Sequence, residues 1–331
     1  MIDPQQHLAP DLTSPEIKQE PIRAGFGRGL LEAGRRDKNV VALCADLTES
    51  TKMNEFAASF PERFIEVGIA EQNLVTVAAG LALAGKTPFV SSYAAFSPGR
   101  NWEQIRTTIC LNQTNVKIAG SHAGVSVGPD GATHQMLEDI ALMRVLPNMV
   151  VVVPADSVEA EKATLALAAH QGGAYLRLAR EKSPIITTEK SPFELGRAPV
   201  LRHGRDLTIV ACGALVYQAL MAAELLAKQH RLEAEVINAV VIKPLDVATI
   251  AASAHRTGAV LTAEEHQMAG GLGGAVAEAL ADHYPVPMAR IGLADRFGES
   301  GRPDELLEYF GLTAPHVVTR ALELVKRKPG N

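Results

Sequence analysis

Short apolar, β-branched runs alternate along the chain with longer stretches of helical period, the pattern of parallel sheets joined by crossover helices. In the first part, candidate strands fall at 40–44, 64–67, 87–91, 116–119, 149–153 and 175–178. Helical stretches lie between them near 15–36, 51–59, 70–84, 100–112, 138–145 and 157–170. The stretch 70–84 is apolar nearly all round (Leu74, Val75, Val77, Leu81, Leu83), so burial on most faces is expected. From 181 to 205 the alternation breaks at Ser183-Pro184, Ser191-Pro192 and Ala198-Pro199, which reads as a linker. It then resumes with strands near 207–211, 234–237, 259–262 and 288–291 and helices near 215–229, 246–255, 272–284, 303–310 and 315–326. The expected fold class is α/β with two domains, each a mostly parallel sheet flanked by helices. Boundaries are expected at 1–20 (flexible tail), 21–182 (first domain), 183–205 (linker) and 206–331 (second domain).

Composition narrows the function classes. A 47% hydrophobic and 21% charged chain has the balance of a soluble globular protein. A net charge of −5 argues against nucleic acid or an anionic membrane as partner, and no stretch reaches a charge-free membrane-spanning length. Cys44, Cys110 and Cys212 are widely spaced and two of them close apolar runs, so they read as small buried hydrophobes in a reducing, cytoplasmic protein. The first 20 residues are polar and carry Pro4, Pro10 and Pro15, without the apolar core of a signal peptide.

Three segments could carry chemistry. Gly68-Ile69-Ala70-Glu71-Gln72-Asn73 sets a carboxylate where a strand gives way to a helix, the edge at which open α/β sheets bind ligands. A helix-capping acid is the alternative reading. Ser121-His122 and Gly128-Pro129-Asp130-Gly131-Ala132-Thr133-His134-Gln135 place two imidazoles and an acid in a glycine-rich stretch just after a strand. A metal site there matches no familiar zinc spacing, and a solvent-facing turn is the alternative. Tyr93-Ala94-Ala95-Phe96 puts two of the few aromatics at a strand's end, as a stacking platform or as core. Gly270-Gly271-Leu272-Gly273-Gly274 lacks the register of a nucleotide loop and reads as close helix packing. Ala45 to Ser50 forms a polar loop after the first strand.

In this order and spacing, these segments resemble the transketolase family over roughly residues 20 to 325. The resemblance implies a pyrimidine-binding domain followed by a transketolase C-terminal domain, with thiamine diphosphate as cofactor. By it, Glu71 is the catalytic carboxylate against the cofactor's aminopyrimidine, Phe96 stacks on that ring, Tyr93 lines the same pocket, and Asp46 lies near the thiazolium. His122, Asp130 and His134 match positions at the sugar hydroxyls, where the two histidines would manage protons. Arg23, Ser50 and Arg180 match contacts to the substrate phosphate. The implied reaction moves a two-carbon ketol unit from a ketose phosphate to an aldose phosphate, by default in pentose-phosphate metabolism.

Two departures matter. Gly99 stands where the family has an aromatic, and no Gly-Asp-Gly signature of the diphosphate-binding domain occurs. The resemblance therefore implies the C-terminal subunit of a split enzyme, carrying no metal itself. An N-terminal diphosphate-binding subunit would bring Mg2+ or Ca2+, in an α2β2 heterotetramer. Within the class, a 1-deoxyxylulose-5-phosphate-synthase-like subunit is disfavoured by His122. A 2-oxo-acid dehydrogenase beta-like subunit is disfavoured by the Asp130 to Gln135 run. Outside it stand a non-catalytic scaffold or regulatory half, and a nucleotide-binding oxidoreductase for which no dinucleotide fingerprint is present.

Overall fold

The computed structural model describes residues 1–328. Its first unit runs β1 (Gln19–Pro21), α1 (Ile22–Arg36), β2 (Val40–Cys44), α2 (Asn54–Ser59), β3 (Phe64–Glu66), α3 (Glu71–Leu83) and β4 (Thr87–Tyr93). It continues through α4 (Trp102–Gln104) into a π-helix over Ile105–Leu111, then β5 (Lys117–Ser121), α5 (Asp139–Arg144), β6 (Val150–Val152), α6 (Ser157–Ala169) and β7 (Ala174–Arg177). Strands β6-β7-β5-β4-β2-β3 lie side by side in that order, all parallel. Every residue of β2 and β5 is buried, because helices cover both faces of a parallel sheet. The uniformly apolar run of β2 has that origin.

The chain then passes through β8 (Lys182–Pro184), β9 (Val200–Arg202), β10 (Leu207–Ala211), α7 (Leu215–Leu225), β11 (Ala234–Asn238) and β12 (Val241–Lys243). It ends with α8 (Val247–Thr257), β13 (Val260–Gln267), α9 (Leu272–His283), β14 (Met288–Leu293), α10 (Pro303–Tyr309) and α11 (Ala314–Val325). The second sheet has the order β14-β13-β10-β11-β9, with only β9 antiparallel among its described strands. The protein is thus α/β with two parallel-rich sheets. Among the described residues no helix is long and apolar enough to cross a membrane.

Four local differences from the sequence reading have physical causes. Strand β12 leaves the second unit and pairs antiparallel with β6, so the first sheet borrows its edge from beyond the linker. Val151 and Val153 accordingly share one apolar cluster with Val210, Ile237 and Val260. The expected linker 183–205 supplies two strands, because its backbone finds partners: β8 pairs with β1 and β9 with β11. The expected flexible tail over 1–20 lies against the protein, with Leu12 and Ile17 buried. There the Asp3 N–H donates to the Leu201 carbonyl and the Ala9 N–H to that of Ile186 (both 2.9 Å). Helix α3 buries one face only, through Leu74, Val75, Ala78 and Ala79, and leaves Leu83 at 74% exposure. Its apolar residues exceed what one contact with the sheet can cover.

Candidate active site

A parallel sheet sends all its carboxyl ends to one edge, and there the loops that follow β2, β3, β4, β5 and β7 converge. Glu71 opens α3 at this edge and is 1% exposed. Its carboxylate accepts from Ser92 Oγ (3.2 Å) and from Arg100 Nη1 (3.3 Å), while Asn101 Nδ2 donates to its carbonyl (2.8 Å). Ser92 belongs to β4, so a neighbouring strand end helps to aim the acid. Arg100 is 54% exposed and stands 5.7 Å from the centre of the Phe96 ring, at the mouth of the site.

Four rings gather at the same edge, joined to this carboxylate through Arg100. Tyr93 stacks on His122 with centroids 3.8 Å apart and planes at 27°. Tyr93 and Phe96 are also nearly parallel, 6.2 Å apart and inclined by 20°. His134 meets Phe96 edge-on at 5.4 Å and lies 6.1 Å from Tyr93. The cluster therefore brings together the three segments, Tyr93–Phe96, Ser121-His122 and Gly128–Gln135, that are separated in sequence. Because His122 covers one face of Tyr93, Phe96 is the aromatic better placed to receive a planar heterocycle.

His122 is buried, has a left-handed backbone (φ 59) and shares a hydrogen bond of 2.8 Å between Nδ1 and Ser121 Oγ. Burial, followed by the charges of Arg23, Arg180 and His134, pushes its pKa down to about 3. Near neutral pH it is consequently an uncharged imidazole that gives or takes a hydrogen bond, rather than a stored proton. His134 Nδ1 lies 2.9 Å from Thr133 Oγ1.

The two arginines stand together on the far side of the rings. Arg23, from the first turn of α1, donates through Nε to the Arg180 carbonyl (3.2 Å) and through Nη1 to the Ser50 carbonyl. Burial and the like charge of Arg180 lower the pKa of Arg23, which makes the pair a place for an anion. Arg180 also donates to the Val127 carbonyl (2.6 Å) and stands 3.6 Å from Asp130 Oδ2. Ser50 joins this group through its carbonyl. Asp46 lies on the β2–β3 side of the edge, exposed, with its N–H donating to Glu66 Oε1 (2.7 Å).

Ser92, Arg100, Asn101 and Glu66 escaped the sequence reading. Glu66 accepts from Asp46 N–H, Thr48 Oγ1 and Gly68 N–H, joining the loop after β2 to the junction that leads to Glu71. Arg100 and Asn101 follow Phe96 by four and five residues, in the non-helical turn before α4, and no motif marks them. At Gly99, a Cβ would stand 2.0 Å from the Ala95 carbonyl oxygen, so this backbone has no room for the family's aromatic. The glycine-rich run 270–274 opens α9, and Glu264 accepts from the N–H groups of Leu272 (2.6 Å) and Gly273 (2.8 Å). An internal carboxylate thus fills the place where a nucleotide phosphate would sit.

Residues 18–185 match the model of the transketolase pyrimidine-binding domain, and residues 196–317 that of the transketolase C-terminal domain. The chain belongs to the transketolase family. The putative transketolase C-terminal section of Methanocaldococcus jannaschii is 44% identical over 310 residues, covering 93% of this chain and 97% of that one. A 6-deoxy-6-sulfo-D-fructose transketolase subunit from a Clostridium species is 44% identical over 315 residues, covering 95% and 98%. Among solved structures, a split-gene transketolase described as an inactive beta4 tetramer superimposes with a TM-score of 0.87 at 47% identity, covering 93% of this chain and 99% of the other. Transketolases imply thiamine diphosphate. The residues present suit its aminopyrimidine end: a buried carboxylate with a serine hydroxyl at hydrogen-bonding range, and a half-exposed aromatic ring linked to it through Arg100. Among the described residues no cluster of three or more His, Cys, Asp or Glu side chains is placed to hold a metal.

Proposed function

We propose that this chain is the C-terminal subunit of a thiamine-diphosphate-dependent transketolase, completed by an N-terminal diphosphate-binding subunit in an α2β2 assembly. The observation that carries the reading is the convergence of Glu71, the Tyr93–Phe96–His122–His134 rings and the Arg23–Arg180 pair on one sheet edge. Relatives named as subunits or sections, matched over nearly their whole length, support the split. In the reaction a ketose phosphate gives up a two-carbon ketol unit and leaves as an aldose phosphate. An acceptor aldose phosphate gains that unit. Bound thiamine diphosphate supplies the carbanion chemistry that such a carbon–carbon cleavage requires.

The residues of this chain take the remaining tasks. Glu71 holds a proton at a ring nitrogen of the aminopyrimidine, and Phe96 fixes the ring plane. Neutral His122, with His134 and Asp130, hydrogen-bonds the sugar oxygens next to the reacting carbons. Arg23 and Arg180, with Ser50, bind the anionic end of the sugar, phosphate or sulfonate. Asp46 would stand near the thiazolium of the bound cofactor, and Tyr93 backs His122. Mg2+ or Ca2+ and the diphosphate belong to the partner subunit. The cytoplasm is the expected location, and pentose-phosphate metabolism the default role.

The test is reconstitution with the diphosphate-binding subunit, thiamine diphosphate and Mg2+, assayed on a panel of ketose phosphates and a sulfonated ketose. Transfer by the complex is expected, and Glu71→Ala should abolish it while assembly persists. Near-normal turnover by Glu71→Ala, or full activity from this chain alone, would sink the assignment.

A further inference from the structure

The loop that carries Asp130 and His134 is built over the second unit as well as over the pyrimidine-binding sheet. Its first part is the 3-10 turn Val125–Asp130, and the bend returns through Gly131 to Gln135. Gln135 is 4% exposed. Its Nε2 lies within hydrogen-bonding range of three carbonyls: Val125 (3.2 Å) and Gly128 (3.1 Å) in the loop, and Glu299 (2.9 Å) in the segment before α10. That segment is pressed against the loop at two further places. A Cβ on Gly131 would come 2.4 Å from Ser300 Oγ, and one on Gly298 would come 1.7 Å from Gln135 Oε1. Glu265 of β13 makes a second tie, accepting from the Ser126 N–H (2.6 Å). On the sheet side, Arg180 holds the Val127 carbonyl (2.6 Å) and faces Asp130.

We propose that Gln135 is a positioning residue through which the C-terminal domain fixes the Asp130–His134 loop in the shape that receives the sugar. The proposal rests on the transketolase reading for what the loop receives, but not for how the loop is held. A carboxamide suits the place because one small neutral donor group reaches two buried carbonyls of the loop and the part-buried carbonyl of Glu299. An apolar side chain of the same length would leave the Val125 and Glu299 carbonyls without this donor, Gly128 keeping the Gly131 N–H (3.1 Å), and a carboxylate would repel all three. The loop meets the cofactor wall, made by Glu71 and Phe96, through the edge-on contact of His134 with Phe96 (5.4 Å), and Gln135 itself bonds to neither wall residue. Loss of the latch should therefore weaken sugar binding without weakening cofactor binding.

Two variants test this from opposite sides: Gln135→Met removes the donor, and Gly298→Ala pushes the carboxamide from the C-terminal domain. In the chain alone, amide hydrogen exchange over residues 125–134 should quicken by about tenfold or more in both variants, while β4 keeps its wild-type protection. In the complex with the diphosphate-binding subunit, KM for the donor ketose phosphate should rise by about tenfold, with half-saturation by thiamine diphosphate within about twofold of wild type. Wild-type exchange over the loop in both variants would overturn the proposal. So would a parallel loss of sugar and cofactor affinity, which marks general damage. If the wild-type complex transfers no ketol unit, the transketolase reading fails by itself, and the exchange measurement still decides the latch.

Discussion

Glu159 carries a carboxyl into the seam between the two units. It lies in the first turn of α6, where Asp156 caps the helix by accepting the Glu159 N–H (2.8 Å). The Glu159 carboxyl turns back to accept the Ala155 N–H (2.7 Å) and reaches across to Asn238 Nδ2 at the end of β11 (2.8 Å). Burial, reinforced by the charge of Asp156, raises its pKa from 4.5 to about 7. The sign follows directly: the folded chain holds this proton more tightly than the unfolded chain. The associated stability is full below pH 4.5 and is lost as pH rises through 7. At ~1.4 kcal/mol per pH unit, the full window is worth about 3 kcal/mol, with roughly 2 to 3 of it lost between pH 5 and pH 8.5.

Glu159→Gln replaces the titrating group by a permanently neutral one. Asn238 Oδ1 is buried without a partner, so turning the Asn238 amide over lets it accept from the new carboxamide. Urea unfolding of the chain at a series of pH values provides the assay. The variant should gain on wild type by about 2 kcal/mol or more between pH 5 and pH 8.5, ending as the more stable protein. A stability difference that stays constant with pH would refute the reasoning, because the burial penalty on the charged carboxyl would then be absent.

The Asp139–Arg177 pair should behave in the opposite way to a surface salt bridge. Asp139 is fully buried and accepts from Arg177 Nε (2.8 Å) and the Tyr175 hydroxyl (2.7 Å), while Arg177 also donates to the Glu265 carbonyl across the seam. Asp139→Asn takes from a buried guanidinium its hydrogen-bonded carboxylate, leaving only the more distant charge of Glu265, and should cost about 3 kcal/mol in urea unfolding; a loss under about 1 kcal/mol would contradict this account. For His122, with its pKa lowered to about 3, the Cε1 proton resonance should stay flat from pH 8 to pH 5. An inflection between about 6 and 7 would show the imidazole to be far better solvated than its position implies. Its lowered pKa also means that the stability tied to the neutral ring is present above 6.5 and is lost as pH falls toward 3.

Most strands and helices were legible because each is specified by a short-range pattern. An unbroken, short, valine-rich run such as Val40–Cys44 reads as a strand covered on both faces. The candidate site's edge was legible for the same reason: once the sheet is parallel, Glu71, Tyr93, His122 and Arg180 must all lie at its carboxyl end. What remained hidden were partnerships across long intervals. Gln135 meets Glu299, Glu159 meets Asn238, Arg23 meets Ser50 and Arg180, and β12 crosses to β6. The tail and the linker read as loose because their composition is polar, yet Leu12 and Ile17 are buried, and β8 and β9 pair their backbone groups. Local pattern decides which residues want to leave water and with what period. Only the folded chain decides which buried donor meets which acceptor, because that depends on how the two sheets pack. Sequence therefore determined which acid and which rings stand at the sheet edge, while the neutral state of His122 and the contacts that Gln135 makes were decided by tertiary structure.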